Sequence, residues 1–404
     1  MTSWRIWLAV AALGVGSFAI VTTELSPIGF LSEIAQDFGR SENSVGLIVT
    51  VYAWVAAVAA LVSATTLGRL PRKPLLIGLM LVLASSSAVA TQTSTLQTLL
   101  GARIIGALAH GVFWAMIGSL GAQIAPPRHV GLATSIIFGG ISAASVLGVP
   151  LANTISHIDG WRYAFGVVSI LAFASAAAIA LSVPRVPGMA PFTRDALKAI
   201  ARDPVFLRIY VATGCAVTAH CAAFTYIEPF LSQALRVPAH LIGVLLLVFG
   251  LAGLVGNIVT GVLIDRHLKL VVLASLALMG ACLFGLGLLS PVSGVLVAAV
   301  LLFGWGIAVA AVFVGFQTWL LREAGEASLP ASAIYVAIFN GSIGTGALLG
   351  SGVISVSNLN GLMIAAGVAL FASLLPVIVL RVPDGANRAG MGQLESETGP
   401  GPAV

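Results

Sequence analysis

Charge is what this 404-residue chain has least of. Asp, Glu, Lys and Arg make up 8% of it, against 59% hydrophobic residues and a mean hydropathy of +1.07. A folded soluble surface needs far more charge than that to stay dispersed, so a water-soluble domain is excluded. There are only three cysteines, Cys215, Cys221 and Cys282, all inside apolar runs and without metal-ligand spacing. That excludes a disulfide scaffold and a thiolate metal module, and leaves the three as small buried hydrophobes. No metal and no cofactor is expected. The basic residues are not gathered into one patch, so the net charge of +5 does not mark a nucleic-acid interface. The alternating segments of roughly ten residues that build a membrane barrel are also missing.

What the chain does have is apolar runs of about 20 residues, the length that crosses hydrocarbon as a helix. They fall near 6–28, 44–67, 75–92, 96–122, 130–153, 163–183, 206–229, 239–262, 270–290, 295–321, 331–354 and 361–381, twelve in all. The fold class is therefore an all-α polytopic membrane protein. The first run follows Arg5 and resembles a signal peptide, but it is long and no clear small-x-small site follows, so it reads as an uncleaved span. The longest polar interruption, 184–205, holds Pro184, Pro187, Pro191 and Pro204, with a short amphipathic helix expected near 193–201. It divides the chain into a six-helix bundle at 1–183 and another at 206–383. The Gly-rich polar tail, 384–404, is expected to be disordered and cytoplasmic. With the N-terminus inside, 15 of the 19 Lys and Arg fall on the cytoplasmic side, so both termini are expected there.

The two halves share local strings. Glu24-Leu-Ser-Pro27 in the first span has a counterpart in Glu228-Pro229 of the seventh, and Phe113 has one in Phe313. The spacing is about 200 residues throughout, which indicates two related six-span halves around a site near mid-membrane.

Ionisable groups inside such spans are costly, and by default they mark function. In 101–123, Arg103, Gly106, His110, Phe113 and Trp114 recur at helical spacing and share one face. Glu24 lies in the outer half of the first span. Arg103 lies in the outer half of the fourth, which runs the other way, so the two are expected at similar depth. Glu24 is a candidate proton carrier, as is His110, whose imidazole has an ordinary range near neutral pH. Arg103 is expected to set the charge state of Glu24, and Glu228 is a further candidate in the proton step. Trp114, too deep for the interfacial aromatic belt, and Phe113 offer aromatic faces to a solute. His110, His220, Tyr226 and Asn340 offer hydrogen bonds to it, and an amide such as Asn340 in an apolar helix needs a partner. Tyr52 and Trp54 read as packing. A Gly14-Val-Gly16 string fits a dinucleotide fingerprint, but that motif works only between a strand and a helix. Ser342, in Gly341-Ser-Ile-Gly344, has no histidine placed opposite it, which sets aside a membrane-embedded hydrolase.

Gly261-Val-Leu263-Ile-Asp265-Arg266, followed by Lys269, resembles the cytoplasmic loop signature of the major facilitator superfamily, Gly-x-x-x-Asp-Arg with trailing basic residues. The first copy keeps only its basic end at Arg72 and Lys73, with Gly68 where the acid stands in the family. Arg103 resembles the family's span-four arginine, and Gly148-Val-Pro150 loosely resembles its antiporter signature. Within the superfamily the chain is similar to the bacterial sugar efflux transporters of the drug:proton antiporter-like branch. That similarity rests on Thr22-Thr-Glu24, Tyr52-Ala-Trp54, Ala109-His110-Gly-Val-Phe-Trp114, Gly160-Trp161-Arg162, Thr218-Ala-His220, Tyr226-Ile-Glu228-Pro229-Phe230 and Gly346-Ala-Leu-Leu-Gly350. The resemblance implies two pseudo-symmetric halves and gating loops at Arg72, Lys73, Asp265 and Arg266. It also implies proton-coupled export of small sugars or sugar analogues by a monomer in the bacterial inner membrane. Exporters of drugs such as chloramphenicol share several of these strings and are the alternative. The expected partners are a small-molecule substrate, protons and the lipid bilayer, with no nucleic acid.

Overall fold

The computed structural model describes residues 3–125, 129–188, 193–324 and 327–380. Among them, twelve helices are long and apolar enough to cross a membrane. These are α1 (Trp4–Asp37), α2 (Glu42–Thr66), α3 (Arg72–Ala90), α4 (Leu96–Ile117), α5 (Leu132–Asp159), α6 (Trp161–Ser182), α7 (Pro204–Phe224), α8 (Ala239–Ile264), α9 (Arg266–Gly287), α10 (Val295–Ala324), α11 (Pro330–Val356) and α12 (Leu359–Val379). No strand occurs among the described residues. Helices are what lipid permits, because each backbone N–H and C=O must be satisfied within its own segment. The expected tail at 384–404 lies outside the described residues, as do Arg128 and Arg381.

Most helices match the apolar runs within a few residues, and the exceptions have local causes. α1 runs on past the expected end. Pro27 breaks its ladder, Ser26–Phe30 tightens to a 3-10 turn, and Leu31–Asp37 resumes as α-helix. α5 also runs long. Pro150 offers no N–H to the carbonyl one turn before it, and Ala144–Gly148 widens into a π turn there. The loop expected between α8 and α9 is a sharp bend whose one non-helical residue is His267, at φ −133° and ψ 36°. Lys269, just beyond it, donates to the carbonyls of Ile378 (2.6 Å) and Leu380 (2.8 Å) at the end of α12, where a cation is favoured. The amphipathic linker helix spans Arg194–Arg202, capped by Thr193 and anchored by buried Ile200.

The pairings repeat. α1 packs on α5 and α6, α2 on α4, and α3 on α6. In the second half α7 packs on α11 and α12, α8 on α10, and α9 on α12. Moving six places along the chain turns one set into the other, which gives two pseudo-symmetric six-helix halves. They meet along α2–α11 and α5–α8.

The contact between the halves differs at its two ends. At the end remote from the linker, one apolar core runs through both halves. It joins Phe30, Ile34, Val45, Ile48, Leu99 and Phe165 to Ala223, Ile227 and Phe230. At the linker end, the first half keeps a separate core around Leu13, Leu79, Phe113, Ile117 and Ile179. The remote end is sealed by bonds from Ser32 N–H to Glu228 Oε2 (3.0 Å), from Gln233 Nε2 to Glu42 Oε1 (2.7 Å) and from Ser351 Oγ to the Asn43 carbonyl (3.3 Å).

Candidate functional site

The site begins with the proline break in α1. Pro27 has no N–H, so the Thr23 carbonyl one turn earlier lacks its helical donor. Arg103 on α4 fills that place, with Nη1 donating to Thr23 O (2.7 Å) and Nη2 to Glu24 O (3.2 Å). Its guanidinium lies 4.0 Å from the centre of the Tyr52 ring, a cation–π contact in a dry interior. The bonds of Arg103 thus go to the main chain of α1 and not to the Glu24 carboxylate that the sequence set beside it. That carboxylate faces His110, with Oε2 3.7 Å from Nε2. His110 stands edge-on to Tyr52, ring centres 5.3 Å apart. α1, α2 and α4 therefore bring Glu24, Arg103, His110 and Tyr52 into one buried cluster.

Glycines allow this approach. A Cβ on Gly111 would lie 2.2 Å from the Ala56 carbonyl oxygen of α2, and one on Gly106 would lie 2.6 Å from Ser86 Oγ of α3. Ser86 Oγ in turn donates to the Ala102 carbonyl at 2.7 Å. Several buried polar atoms of the cluster have no partner among the described residues: Glu24 Oε1, Arg103 Nε, His110 Nδ1 and Tyr52 Oη. So many orphans in one place are unusual for a folded interior, and they suit a site that takes up water, a proton or a polar solute.

Trp114 is half-buried beside the cluster, between Phe113 and Phe138 at ring distances of 5.7 and 5.8 Å. Phe113, expected to face a solute, is instead wholly buried in the core of its own half, against Gly16. Its position on the shared face of α4 points it at α1 and α6 rather than at an open path.

In the second half, His220 on α7 accepts a hydrogen bond at Nδ1 from Trp305 Nε1 of α10 (3.0 Å). Two further residues assigned to the solute make hydrogen bonds within the second half. Tyr226 is fully buried in the sealed end, where Oη donates to the Ala347 carbonyl (3.0 Å) and the ring fills the notch left by Gly350. Asn340 turns its amide back to the Val336 carbonyl of its own helix (2.9 Å). Glu228 lies beyond the end of α7, at the seal, apart from the Glu24 cluster. Burial pushes its carboxyl above the ordinary range, bonds from Ser32 and Ser232 pull it down, and Glu33 pushes it up. Of the four groups assigned to the proton step, the fold gathers Glu24, Arg103 and His110.

Of the gating-loop residues, Arg72 is buried with its backbone N–H on the Val186 carbonyl (2.9 Å), and Lys73 is half-buried. Arg266 is exposed at the bend, and the side chain of Asp265 lies outside the description. Three features escaped the sequence reading. Trp54 bridges the halves, donating to Gly341 O (3.2 Å) and Thr345 Oγ1 (3.3 Å). Trp305 holds His220. The i−4 rule applied to Pro27 would have pointed to a freed carbonyl at Thr23, but nothing in the sequence tells where Trp54 or Trp305 donates.

The arrangement is a polar cluster inside a helical bundle whose two halves are joined at one end and keep separate cores at the other. The sequence matches the Major Facilitator Superfamily over residues 6–328 and 222–398. Among solved structures, the human organic anion transporter MFSD10 (TETRAN) is similar with a TM-score of 0.69, covering 93% of this chain and 100% of that one. At 15% identity that likeness speaks for the fold alone. Twelve spans, the repeated helix pairings and the family match lead to one assignment: the chain is a multi-pass membrane transporter and belongs to the Major Facilitator Superfamily.

Proposed function

We propose that this transporter exports small sugars or sugar analogues across the bacterial cytoplasmic membrane in exchange for protons. One observation carries the reading. The Glu24–His110–Arg103–Tyr52 cluster lies buried behind the end where the two halves are sealed. The distribution of Lys and Arg puts the linker end in the cytoplasm, so the sealed end faces outward and the solute site is reached from inside. A proton arriving on Glu24 or His110 alters the charge balance around Arg103 and so biases one arrangement of the halves. Solute and proton then act on the same equilibrium, and a coupled cycle needs only a few kcal/mol of differential binding.

The half-buried Trp114 supplies a face for the apolar side of a sugar ring. Organic anions, named for the similar human protein, would call for an uncommitted cation, whereas Arg103 is engaged with two carbonyls. The grouping of Trp114 with Phe113 and Phe138 favours a second reading, export of aromatic drugs of the chloramphenicol type. Glu24→Gln in proteoliposomes tests the coupling: transport driven by a pH gradient is expected to fall to the level of counterflow alone. Undiminished gradient-driven transport would remove Glu24 from the mechanism. Trp114→Ala is expected to weaken sugar binding, and a resistance profile set beside sugar-analogue accumulation separates the two solute classes.

A further inference from the structure

We infer that Trp305 is a positioning residue that locks His220 as the Nε2–H tautomer, making the second half's histidine a fixed neutral hydrogen-bond donor toward a hydroxyl of the transported solute. The solute part of this rests on the transport reading above; the lock itself does not.

The chemistry follows from one bond. Indole Nε1 only donates, and it donates to His220 Nδ1 at 3.0 Å. A nitrogen that accepts this bond carries no proton of its own, so in neutral imidazole the remaining proton sits on Nε2. Trp305 is wholly buried and cannot swing away. The His220 ring is also held in its plane: it stacks on Phe224 (5.3 Å, 18°) and meets Phe313 edge-on (5.5 Å). Phe224 stacks in turn on Phe249 at 5.1 Å. The ring's partners among the described residues are aromatic, and no charged side chain is among them.

Nε2 makes no hydrogen bond with the described residues, yet it is not among the sealed orphan atoms. It therefore keeps access to open space, in keeping with the 4% of His220 surface that stays exposed. A donor that is fixed in direction, unpaired within the protein and still accessible is what a polar solute group would meet.

The two halves also correspond here. Arg103 on α4 donates into α1, and Trp305 on α10 donates into α7. These are counterpart helices of the two halves. Where the first half places a cation among ionisable groups, the second places a neutral donor among aromatics. The halves thus divide the work, with proton handling in the first and hydroxyl recognition in the second.

Two measurements test this. Nitrogen-15 spectra of histidine-labelled protein, assigned to His220 by its absence in His220→Gln, should show the Nε2–H tautomer in wild type and a mixture in Trp305→Phe. The Nδ1–H form in wild type, or an unchanged tautomer in Trp305→Phe, would overturn the lock. For the donor role, glutamine places its amide N–H where Nε2–H stands and asparagine places it where Nδ1 stands. His220→Gln should therefore bind isopropyl β-thiogalactoside close to wild type, and His220→Asn about tenfold more weakly. Any other ranking overturns the donor assignment. If Trp305→Phe does not fold, the wild-type spectrum and the His220 pair carry the test. If wild type does not bind the thiogalactoside, the sugar reading fails while the tautomer spectra still decide the lock.

Discussion

Alanine at Gly46 probes whether the sealed end is a gate. Gly46 lies at the start of α2, and a Cβ there would come 2.2 Å from Tyr226 Oη and 2.9 Å from its Cζ. The tyrosine has no room to yield. It is 0% exposed, its hydroxyl is bonded to the Ala347 carbonyl, and its ring lies where a Cβ on Gly350 would be. Overpacking a seam of this kind costs about 1–3 kcal/mol, and losing the tyrosine hydrogen bond adds about 1. The halves relieve both terms together by parting at this end. Gly46→Ala is thus expected to disfavour the sealed state by about 2–4 kcal/mol, a population shift of roughly 30- to 1,000-fold. Nitroxide labels on cysteines at Arg40 and Val292, both exposed, would read it by pulsed electron resonance in a Cys215→Ser background. The distance distribution should move to longer values in Gly46→Ala. It should return toward the short population when Tyr226→Phe removes the hydroxyl in the way. A Gly46→Ala distribution that superimposes on wild type would refute the reasoning.

Trp54→Phe removes the donor to Gly341 and Thr345 and should weaken the sealed state by about 1 kcal/mol, near fivefold in population, read by the same label pair. Glu228 adds a pH dependence. Its carboxyl is raised in the sealed state, so proton uptake favours sealing. The seal is then tightest below the solvated carboxylate's range and loosens as pH rises through the raised value. Glu228→Gln should hold the label distance constant across that window; a distance that tracks pH as wild type does would assign the effect elsewhere. Arg103→Lys loses the planar fork that serves two carbonyls and the contact with Tyr52, so thermal unfolding in detergent should show a loss of about 1–3 kcal/mol. Because Arg103 bonds backbone rather than carboxylate, Glu24→Gln should cost clearly less; equal losses would point to a side-chain pair.

Hydropathy alone placed the twelve spans, because lipid demands about 20 apolar residues per crossing and tolerates no unpaired backbone. Glu24, Arg103 and His110 stood out for the same reason, since charge in such a run is rare enough to be read one residue at a time. Which groups those side chains touch was not legible. Arg103 turned to the Thr23 carbonyl that Pro27 frees and to the Glu24 carbonyl beside it, Phe113 went into the core of its own half, and Tyr226 became the wedge of the seal. Each of these outcomes depends on how a helix is rotated about its axis and how closely its neighbour approaches. Contacts at Gly46, Gly106, Gly111 and Gly344 set both, between residues far apart in the chain. Composition and order thus determined that this is a membrane-crossing helical bundle with ionisable groups at depth. The tertiary packing alone decided which of those groups meet and which end of the bundle is shut, because helix rotation and tilt are set by neighbouring helices distant in the chain and leave no periodic trace in the sequence.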